Sequence, residues 1–571
     1  MTQVQESMEG LGCVEEAQEQ ALLERQDVPW SANSTVKRRS SSQTSQKPGE
    51  YTGPQAGLNY GSVNVGLYKD AMKHALKRER ELAEIDALAP NRKLPETNAL
   101  YHYIHGKAYD LRPFYNSHPG GADILQLTAG LPDATPAFES YHAFADRDGI
   151  LERIKAYRVP DHVLEKDGDV IPKELYAFDE DGFYRTLTRR VRAHFTGGSE
   201  NDPENKSVTD HIKADWVQFA KIGFQVLLNL VFFSLAFLIR LPLMQAMVCG
   251  FLSGFIQMGW GFTAMHDACH FALGKRNHWL NERMLQVWMG WSLWNSKTWM
   301  IHHVSRHHLY TGTEELDPDT HHSMPVIRKC VDTPYHEVNK VFDFINNTFG
   351  FYGTAVSVFF LSVLAPGMYL GQAMEYLHYR EATSPEKETL WGMAPFKSIK
   401  GYDTPWWESA IFGSVLVVHL VRMNPLVTWS YTAGFALSYA MCILADHDLV
   451  ESALTAHVDT DAFGLGLQEK MPDWGEVQVR NTTNFINDYL NIFAQWFGGI
   501  NYQIEHHLFP GMAHMKLVEI SPIVQQTCEE FDVPYTTYPN ISDAWGSYVV
   551  SIRAIMSGLK SEQEIEKVRH L

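Results

Sequence analysis

The chain has 571 residues, 45% of them hydrophobic, and a formal net charge of -19, so it is long enough for several domains. Lysine and arginine form no long clusters, which argues against a nucleic acid partner because phosphate binding needs concentrated positive charge. Six cysteines occur without paired spacing, so we predict neither a disulfide framework nor a Cys-x-x-Cys metal site. The acidic N-terminus lacks the features of a cleaved signal peptide, and membrane insertion is expected to use internal segments.

Residues 1–92 are polar and include a serine-rich run at 40–45. Such a composition cannot bury enough apolar surface to form a core, so a mostly disordered tail is predicted. Within it, residues 68–88 have the apolar spacing of one amphipathic helix.

Residues 93–168 change character and carry a group of short motifs that recur together. These are His105-Gly-Lys-Ala-Tyr-Asp-Leu111, His118-Pro-Gly-Gly121, Ala129-Gly130, Asp133-Ala134-Thr135 and the later His142. The segment resembles the cytochrome b5 haem-binding domain, which implies a small α+β fold with haem b held by His118 and His142 as axial ligands. Two axial imidazoles leave no position for oxygen, so such a haem transfers electrons only. Residues 169–215 are interpreted as a linker.

Two long apolar segments follow the linker. Residues 222–239 and 241–265 contain no charged side chain, and each is long enough to cross a bilayer. Lys221 and Arg240 bracket the first segment and would lie at the membrane interfaces. The pair predicts a membrane hairpin that returns the chain to its starting side.

Three further apolar stretches occur at 344–373, 409–421 and 423–445. An even number of them must span if the later part of the chain is to return to the same side. Length favours the first and last stretches, whereas a tight hairpin would use the last two and leave 344–373 as an interfacial helix. We favour the hairpin, which gives a mostly α bundle of four spans over 216–510. Residues 484–497 are predicted to lie on the surface as an amphipathic segment, and 511–571 to form a cytosolic cap.

Three histidine clusters each follow an apolar stretch. They are His266-Asp-Ala-Cys-His270, His303-Val-Ser-Arg-His307-His308 and Gln503-Ile-Glu-His506-His507. Imidazole suits iron, copper, zinc and nickel. Spacing of i, i+4 places His266 beside His270, and His303 beside His307, on one helical face. Seven histidines exceed what one ion needs, which indicates two metals with open positions.

The clusters resemble the three histidine boxes of membrane fatty-acyl desaturases, and the haem domain with Gln503 opening the last box resembles front-end desaturases. Trp299, Asp317-Pro-Asp319 and the run from Trp496 to Pro510 agree with this resemblance. It implies a non-haem di-iron centre with the ligands His266, His270, His303, His307, His308, His506 and His507. Gln503 replaces the usual histidine, and its role is left open between ligand, water-mediated contact and orienting group.

His447, in Asp446-His447-Asp448, is a further candidate ligand or supporting residue. His302 and the pair His321-His322 are predicted to lie outside the metal site.

The resemblance implies an oxygen-dependent enzyme that inserts a cis double bond on the carboxyl side of an existing one in a long polyunsaturated acyl chain. Electrons would come from an NADH-cytochrome b5 reductase through the fused haem domain, and oxygen would leave as water. The expected location is the endoplasmic reticulum membrane, with boxes and haem domain facing the cytosol. The three-residue gap between His303 and His307 slightly favours a delta-5 or delta-4 position over delta-6.

Three alternatives remain open from sequence. An acyl hydroxylase would use the same metal site, and a sphingoid long-chain-base desaturase shares the fused haem domain and the glutamine-type third box. A membrane-anchored electron carrier with vestigial boxes is the alternative without enzymatic activity, and the intact boxes disfavour it.

Overall fold

The computed structural model describes residues 97–98, 100–198, 208–274, 278–313, 316–320, 326–327, 340–346, 348–350, 352–357, 405–422, 424–442, 470–485 and 492–556. All of them belong to one unit, Gly49–Leu571. The tail at 1–92, His447 and the pair His321-His322 lie outside the described residues.

The described part is mostly helical and includes two short two-stranded sheets. The strands are β1 (His102–Ile104), β2 (Lys107–Tyr109), β3 (Asn484–Phe485) and β4 (Thr537–Tyr538). The helices up to the second box are α1 (Ala122–Thr128), α2 (Thr135–Tyr141), α3 (Arg147–Ile154), α4 (Asp161–Asp167), α5 (Phe183–Thr196), α6 (Thr209–Ile212), α7 (Trp216–Phe233), α8 (Leu243–Trp260), α9 (Asp267–Cys269), α10 (His278–Trp291) and α11 (Ser296–Trp299). The later helices are α12 (Trp406–Val421), α13 (Pro425–Cys442), α14 (Trp474–Arg480), α15 (Ile492–Phe497), α16 (Gln503–Leu508), α17 (His514–Phe531) and α18 (Ile541–Met556).

The N-terminal described segment is a small α+β unit. Strands β1 and β2 pair antiparallel, with His102 opposite Tyr109, and helices α1 to α4 follow. Its apolar core includes Ile104, Leu111 and Phe138. Helix α4 ends at Gly168, whose φ of 72° is the left-handed conformation that commonly terminates a helix.

The segment interpreted as a linker contributes to the core of the molecule. Phe183, Tyr184, Leu187 and Val191 on α5 are fully buried, and they pack in the same apolar cluster as Trp474 of α14. Helix α14 starts where the Asp473 carboxylate accepts hydrogen bonds from the backbone N–H groups of its first turn.

Two of the described helices are long and apolar enough to cross a membrane, Trp216–Leu238 and Leu243–Cys269. The first begins at Asp215, which caps α7 by accepting a hydrogen bond from Gln218. The second begins after Pro242, a residue suited to a helix start because it has no backbone N–H. These helices match the predicted hairpin.

Helix α13 lies against α8 at very short range. A Cβ atom on Gly254 would stand 2.0 Å from the carbonyl oxygen of Tyr431, and one on Gly434 would stand 2.0 Å from that of Phe251. Gly250 and Gly254 are one turn apart, the spacing that allows close packing of membrane helices. Helix α12 packs against α10, and neither α12 nor α13 passes the length and hydropathy test for a span.

The expectation of an amphipathic surface segment at 484–497 is wrong at the first described end of the segment. Asn484 and Phe485 form β3, which pairs parallel with β4 and is fully buried, because β4 and α18 pack over it. At the other end, Ala494 and Phe497 of α15 are buried and Gln495 is exposed, which is an amphipathic pattern. Of residues 344–373, the described parts at 344–346, 348–350 and 352–357 are helical.

Candidate metal centre and haem site

The first two histidine boxes lie on helices whose turns are wider than those of an α-helix. Helix α8 continues as a π-helix at Gly261–His266, and α11 continues as a π-helix at Met300–His307. The backbone N–H of His308 accordingly donates to the carbonyl of His303, five residues earlier, at 3.0 Å. Such π turns are rare and occur frequently at functional sites.

The wider turn changes which histidines meet in the second box. Sequence spacing paired His303 with His307, whereas in the structure the Nε2 atoms of His303 and His308 are 3.1 Å apart. His307 instead contacts Asp317. The prediction that His303 pairs with His307, which assumed 3.6 residues per helical turn, is therefore wrong.

Five histidines from all three boxes converge at one point. Their candidate ligand atoms all lie within 4.8 Å of one another, and the residues are His266, His270, His303, His308 and His506. The Nε2 atoms of His266 and His303 are 2.7 Å apart, and those of His308 and His506 are 3.1 Å apart. Two nitrogens that bind one metal at about 2 Å stand roughly 3 Å apart at a right angle, so the group fits a shared ion.

The cluster is buried and its imidazoles are kept neutral. Burial, followed by the neighbouring histidines, holds the pKa of His270, His303, His308 and His506 well below the usual range. Neutral imidazole is the form that binds metal. Among the described residues, Nε2 of His270 is buried and has no hydrogen-bond partner. Such an orphaned nitrogen fits a site that is completed by a bound ion.

The second nitrogen of several box histidines is held by a residue outside the boxes. These contacts join His270 Nδ1 to the Tyr141 hydroxyl at 2.9 Å, His266 Nδ1 to His514 Nε2 at 3.1 Å, His307 Nδ1 to Asp317 at 3.0 Å, and His507 Nδ1 to both Thr311 and Gln478 at 3.0 Å. Metal-binding histidines commonly have such outer partners, which fix the tautomer and the ring orientation. Sequence reasoning placed none of these contacts.

His514 was missed altogether. It lies at the start of α17, beyond the boundary at 510, and its Nδ1 pairs with the buried carboxylate of Asp267. Asp267 also accepts a hydrogen bond from Gln218 on α7. The one available signal was the position of Asp267 inside the first box, where a buried carboxylate requires a partner.

Two consecutive glycines place the third box. Gly498 and Gly499 have φ values of 67° and 79°, a left-handed conformation that glycine adopts without strain. A Cβ atom on Gly498 would come within 2.9 Å of the carbonyl of Phe262, just ahead of the first box. The turn therefore presses α16, with His506 and His507, against the first box.

The remaining candidates differ in their positions. Gln503 is buried on α16, one turn before His506 and His507. His302 lies outside the group of five, and its Nε2 is 2.6 Å from Asp319.

His118 and His142 face each other in the N-terminal unit, with ring centroids 6.3 Å apart. The Nδ1 atoms of both rings contact backbone carbonyls, those of Gly121 at 2.9 Å and Phe138 at 2.7 Å. Each ring therefore turns its Nε2 side away from the backbone. Two metal–nitrogen bonds of about 2 Å each, together with the distance from each nitrogen to its ring centre, match this separation. The pair fits a metal held axially between the rings.

The N-terminal unit contacts the sequence around every box. Tyr141 reaches His270 of the first box. Near the second box, the hydroxyl of Tyr310 donates to the carbonyl of Asp133 at 2.6 Å, and Lys297 lies 3.6 Å from Asp123. Just after the third box, Phe509 stacks on Phe144 with a centroid distance of 5.4 Å.

Residues 242–539 match the family model for fatty acid desaturases, a stretch that contains all three boxes. The chain belongs to the fatty acid desaturase family. Residues 81–163 match the model of the cytochrome b5-like haem/steroid binding domain. The resemblance to front-end desaturases with a fused cytochrome b5 domain is thereby confirmed, and this desaturase is an oxidoreductase.

Curated relatives of this desaturase extend over most of its length. It is 27% identical over 481 residues to an acyl-lipid (8-3)-desaturase of Mortierella alpina. This alignment covers 81% of this chain and 95% of the relative. It is 28% identical over 470 residues to an acyl-lipid (8-3)-desaturase of Physcomitrium patens, covering 79% and 87%. It is 24% identical over 473 residues to the Delta(5) fatty acid desaturase A of Dictyostelium discoideum, covering 78% and 88%.

The family assignment implies haem and a di-iron centre, and the desaturase has residues that fit both. Cys249, Cys269 and Cys528 are free thiols.

Proposed function

We propose that this desaturase introduces a cis double bond on the carboxyl side of an existing double bond in a long polyunsaturated acyl chain. The observation that carries the proposal is the convergence of histidines from all three boxes into one buried cluster beneath a docked haem domain. When bound, a reduced pair of irons would activate O2 and remove two hydrogens from unactivated methylenes, with two electrons and two protons supplied and two waters released.

The proposed iron ligands are the seven box histidines. The five-histidine cluster would hold one ion, and His307 and His507, whose rings are 5.0 Å apart, would contribute to the second. Gln503 and His447 are proposed as further ligands or supporting residues of the same centre.

The protein's own residues prepare the ligands. Burial keeps the imidazoles neutral, so no proton has to leave before an ion binds. The carboxylate of Asp317 accepts from Nδ1 of His307, which directs Nε2 to the opposite side of the ring. Glu505, between Gln503 and His506, is fixed by hydrogen bonds from Asn484 and Tyr535, and burial raises its pKa.

The haem domain would deliver electrons to the metal centre. Haem b held by His118 and His142 is electron-transferring because both axial positions are filled. The domain touches the sequence around every box, so its own docking supplies the proximity that transfer needs. We propose an NADH-cytochrome b5 reductase as the upstream donor.

The proposed membrane part has four spans, α7, α8, α12 and α13. Large apolar side chains are more than half exposed on each of them, including Leu227, Met244, Leu420 and Trp429. Contiguous exposed apolar surface of this kind is expected to face lipid. With an even number of spans, the boxes and haem domain would share the cytosolic face of the endoplasmic reticulum membrane.

The proposed domain limits are 1–92 for the tail, 93–168 for the haem domain, 169–215 for the linker, 216–510 for the desaturase domain and 511–571 for the cap. The position of His514 extends the metal site into the cap. A delta-5 position, with delta-4 as the neighbouring possibility, is favoured by the gap in the second box and by the name of one relative.

Expression in yeast fed single polyunsaturated fatty acids tests the proposal. Mass spectrometry that locates double bonds should find one new bond between an existing one and the carboxyl group. A His303→Ala variant, expressed to the same level, is the inactive control. A hydroxylated product would identify a hydroxylase, and conversion of free long-chain bases but not of fatty acids would identify a sphingoid-base enzyme. Either outcome would overturn the proposal.

A further inference from the structure

Tyr141 occupies a position that belongs to both cofactor sites. It is the last residue of α2 and immediately precedes His142. Its hydroxyl oxygen is 2.9 Å from Nδ1 of His270, in the first box. One residue of the haem domain thus touches a proposed iron ligand while its neighbour in sequence is a proposed haem ligand.

The two nitrogens of His270 have distinct environments. Nε2 is buried in the five-histidine cluster and has no hydrogen-bond partner among the described residues. Nδ1 faces Tyr141. An imidazole that binds metal through Nε2 carries its proton on Nδ1 and needs an acceptor there. The Tyr141 oxygen is within hydrogen-bond distance and can accept a hydrogen bond from that N–H group.

We propose that Tyr141 is a positioning residue for His270, so that the haem domain completes the di-iron site as well as supplying electrons to it. The inference rests on the proposed function, because it needs His270 to be an iron ligand. Its geometry is specific, since the ring of Phe271 lies edge-on to Tyr141 with centroids 6.2 Å apart and limits where the phenol can point. The docking of the haem domain onto the first box would then also fix the orientation of the His270 ring.

Three purified full-length variants separate this role from electron supply. Tyr141→Phe removes only the hydroxyl. His118→Ala removes a haem ligand and leaves Tyr141 in place. Tyr176→Phe is the matched control, because its buried hydroxyl contacts Thr313 at 2.8 Å rather than a box histidine.

The measurements are haem content from the Soret band, iron affinity by chelator competition, and the Mössbauer spectrum of the iron-loaded protein. Tyr141→Phe should keep haem but lose iron affinity by roughly 10- to 100-fold, the usual effect of removing an outer partner of a metal ligand. His118→Ala should lose haem and keep iron, and Tyr176→Phe should keep both.

Unchanged iron affinity and an unchanged Mössbauer spectrum in Tyr141→Phe would overturn the inference. Equal loss of iron in Tyr176→Phe would also overturn it, because the effect would then be general to the loss of a buried tyrosine hydroxyl. If wild-type protein binds no iron, the proposed function itself fails. The two failures are therefore distinguishable.

Discussion

His514 Nε2 lies 3.1 Å from His266 Nδ1, and the opposite nitrogen of His514 pairs with the Asp267 carboxylate. A buried carboxylate thus acts through one imidazole on another that belongs to the five-histidine cluster. Carboxylate–histidine chains of this kind orient metal ligands and raise their basicity.

We expect His514→Ala to lower iron affinity and desaturation by roughly 10- to 100-fold, because His266 loses the partner that fixes its ring. Iron per chain and product yield are the measurements. His162→Ala, on an exposed residue of α4, is the control. Full iron occupancy at unchanged affinity in His514→Ala would contradict this role.

In the second box, His308→Ala should abolish bound iron and activity, because His308 lies in the five-histidine cluster. His302→Ala should retain most bound iron, since His302 contacts Asp319 outside that cluster. Iron stoichiometry of the two purified variants makes the comparison. If His308→Ala kept its iron and His302→Ala lost it, His302 rather than His308 would be the metal ligand on the π-helix.

His118→Ala should abolish desaturation while leaving iron in place, because the axial pair with His142 is broken. Haem content, iron content and product yield are measured on one preparation. The variant must be expressed in a host that depends on the fused haem domain for electrons. Retained activity there would rule out the proposed electron path.

Gly254→Val should destabilise the protein by about 1–3 kcal/mol or more, because any Cβ collides with the Tyr431 carbonyl of α13. The melting temperature in detergent is the measurement. Gly223→Val on α7 is the matched control, because a Cβ there meets nothing within 4 Å. Equal melting temperatures for the two variants would mean that α8 and α13 do not pack closely.

His105 should make the haem domain less stable at alkaline pH. Burial lowers the pKa of His105, but hydrogen bonds and charge from Glu139 and Glu174 outweigh it and raise the pKa to about 9 from 6.5. Because the folded pKa is the higher one, the stabilisation is complete below pH 6.5 and disappears as pH rises through about 9. Arg185 of α5 also pairs with Glu139.

The midpoint temperature of haem release, followed in the Soret band, should therefore fall between pH 7 and pH 10. His105→Gln should reduce that fall, since glutamine does not titrate. An identical pH dependence in the variant would assign the effect to another group.

Local sequence was sufficient for the parts that depend on local chemistry. The first hairpin follows from uncharged length, since a bilayer requires about 20 apolar residues per helix. The pair His118 and His142 was expected from the resemblance of residues 93–168 to the cytochrome b5 haem-binding domain. The suitability of the boxes for binding a transition metal followed from their histidine content alone.

Sequence alone determined that this protein would contain membrane-length apolar helices and three imidazole-rich boxes, because residue type and spacing set those properties. Tertiary structure decided which nitrogens meet. The π turn that pairs His303 with His308, and the long-range contacts from Tyr141 and His514, depend on segments brought together by packing. No local pattern encodes such contacts. A hydrogen bond between segments far apart in sequence is stabilised when the surrounding side chains pack around it and exclude water.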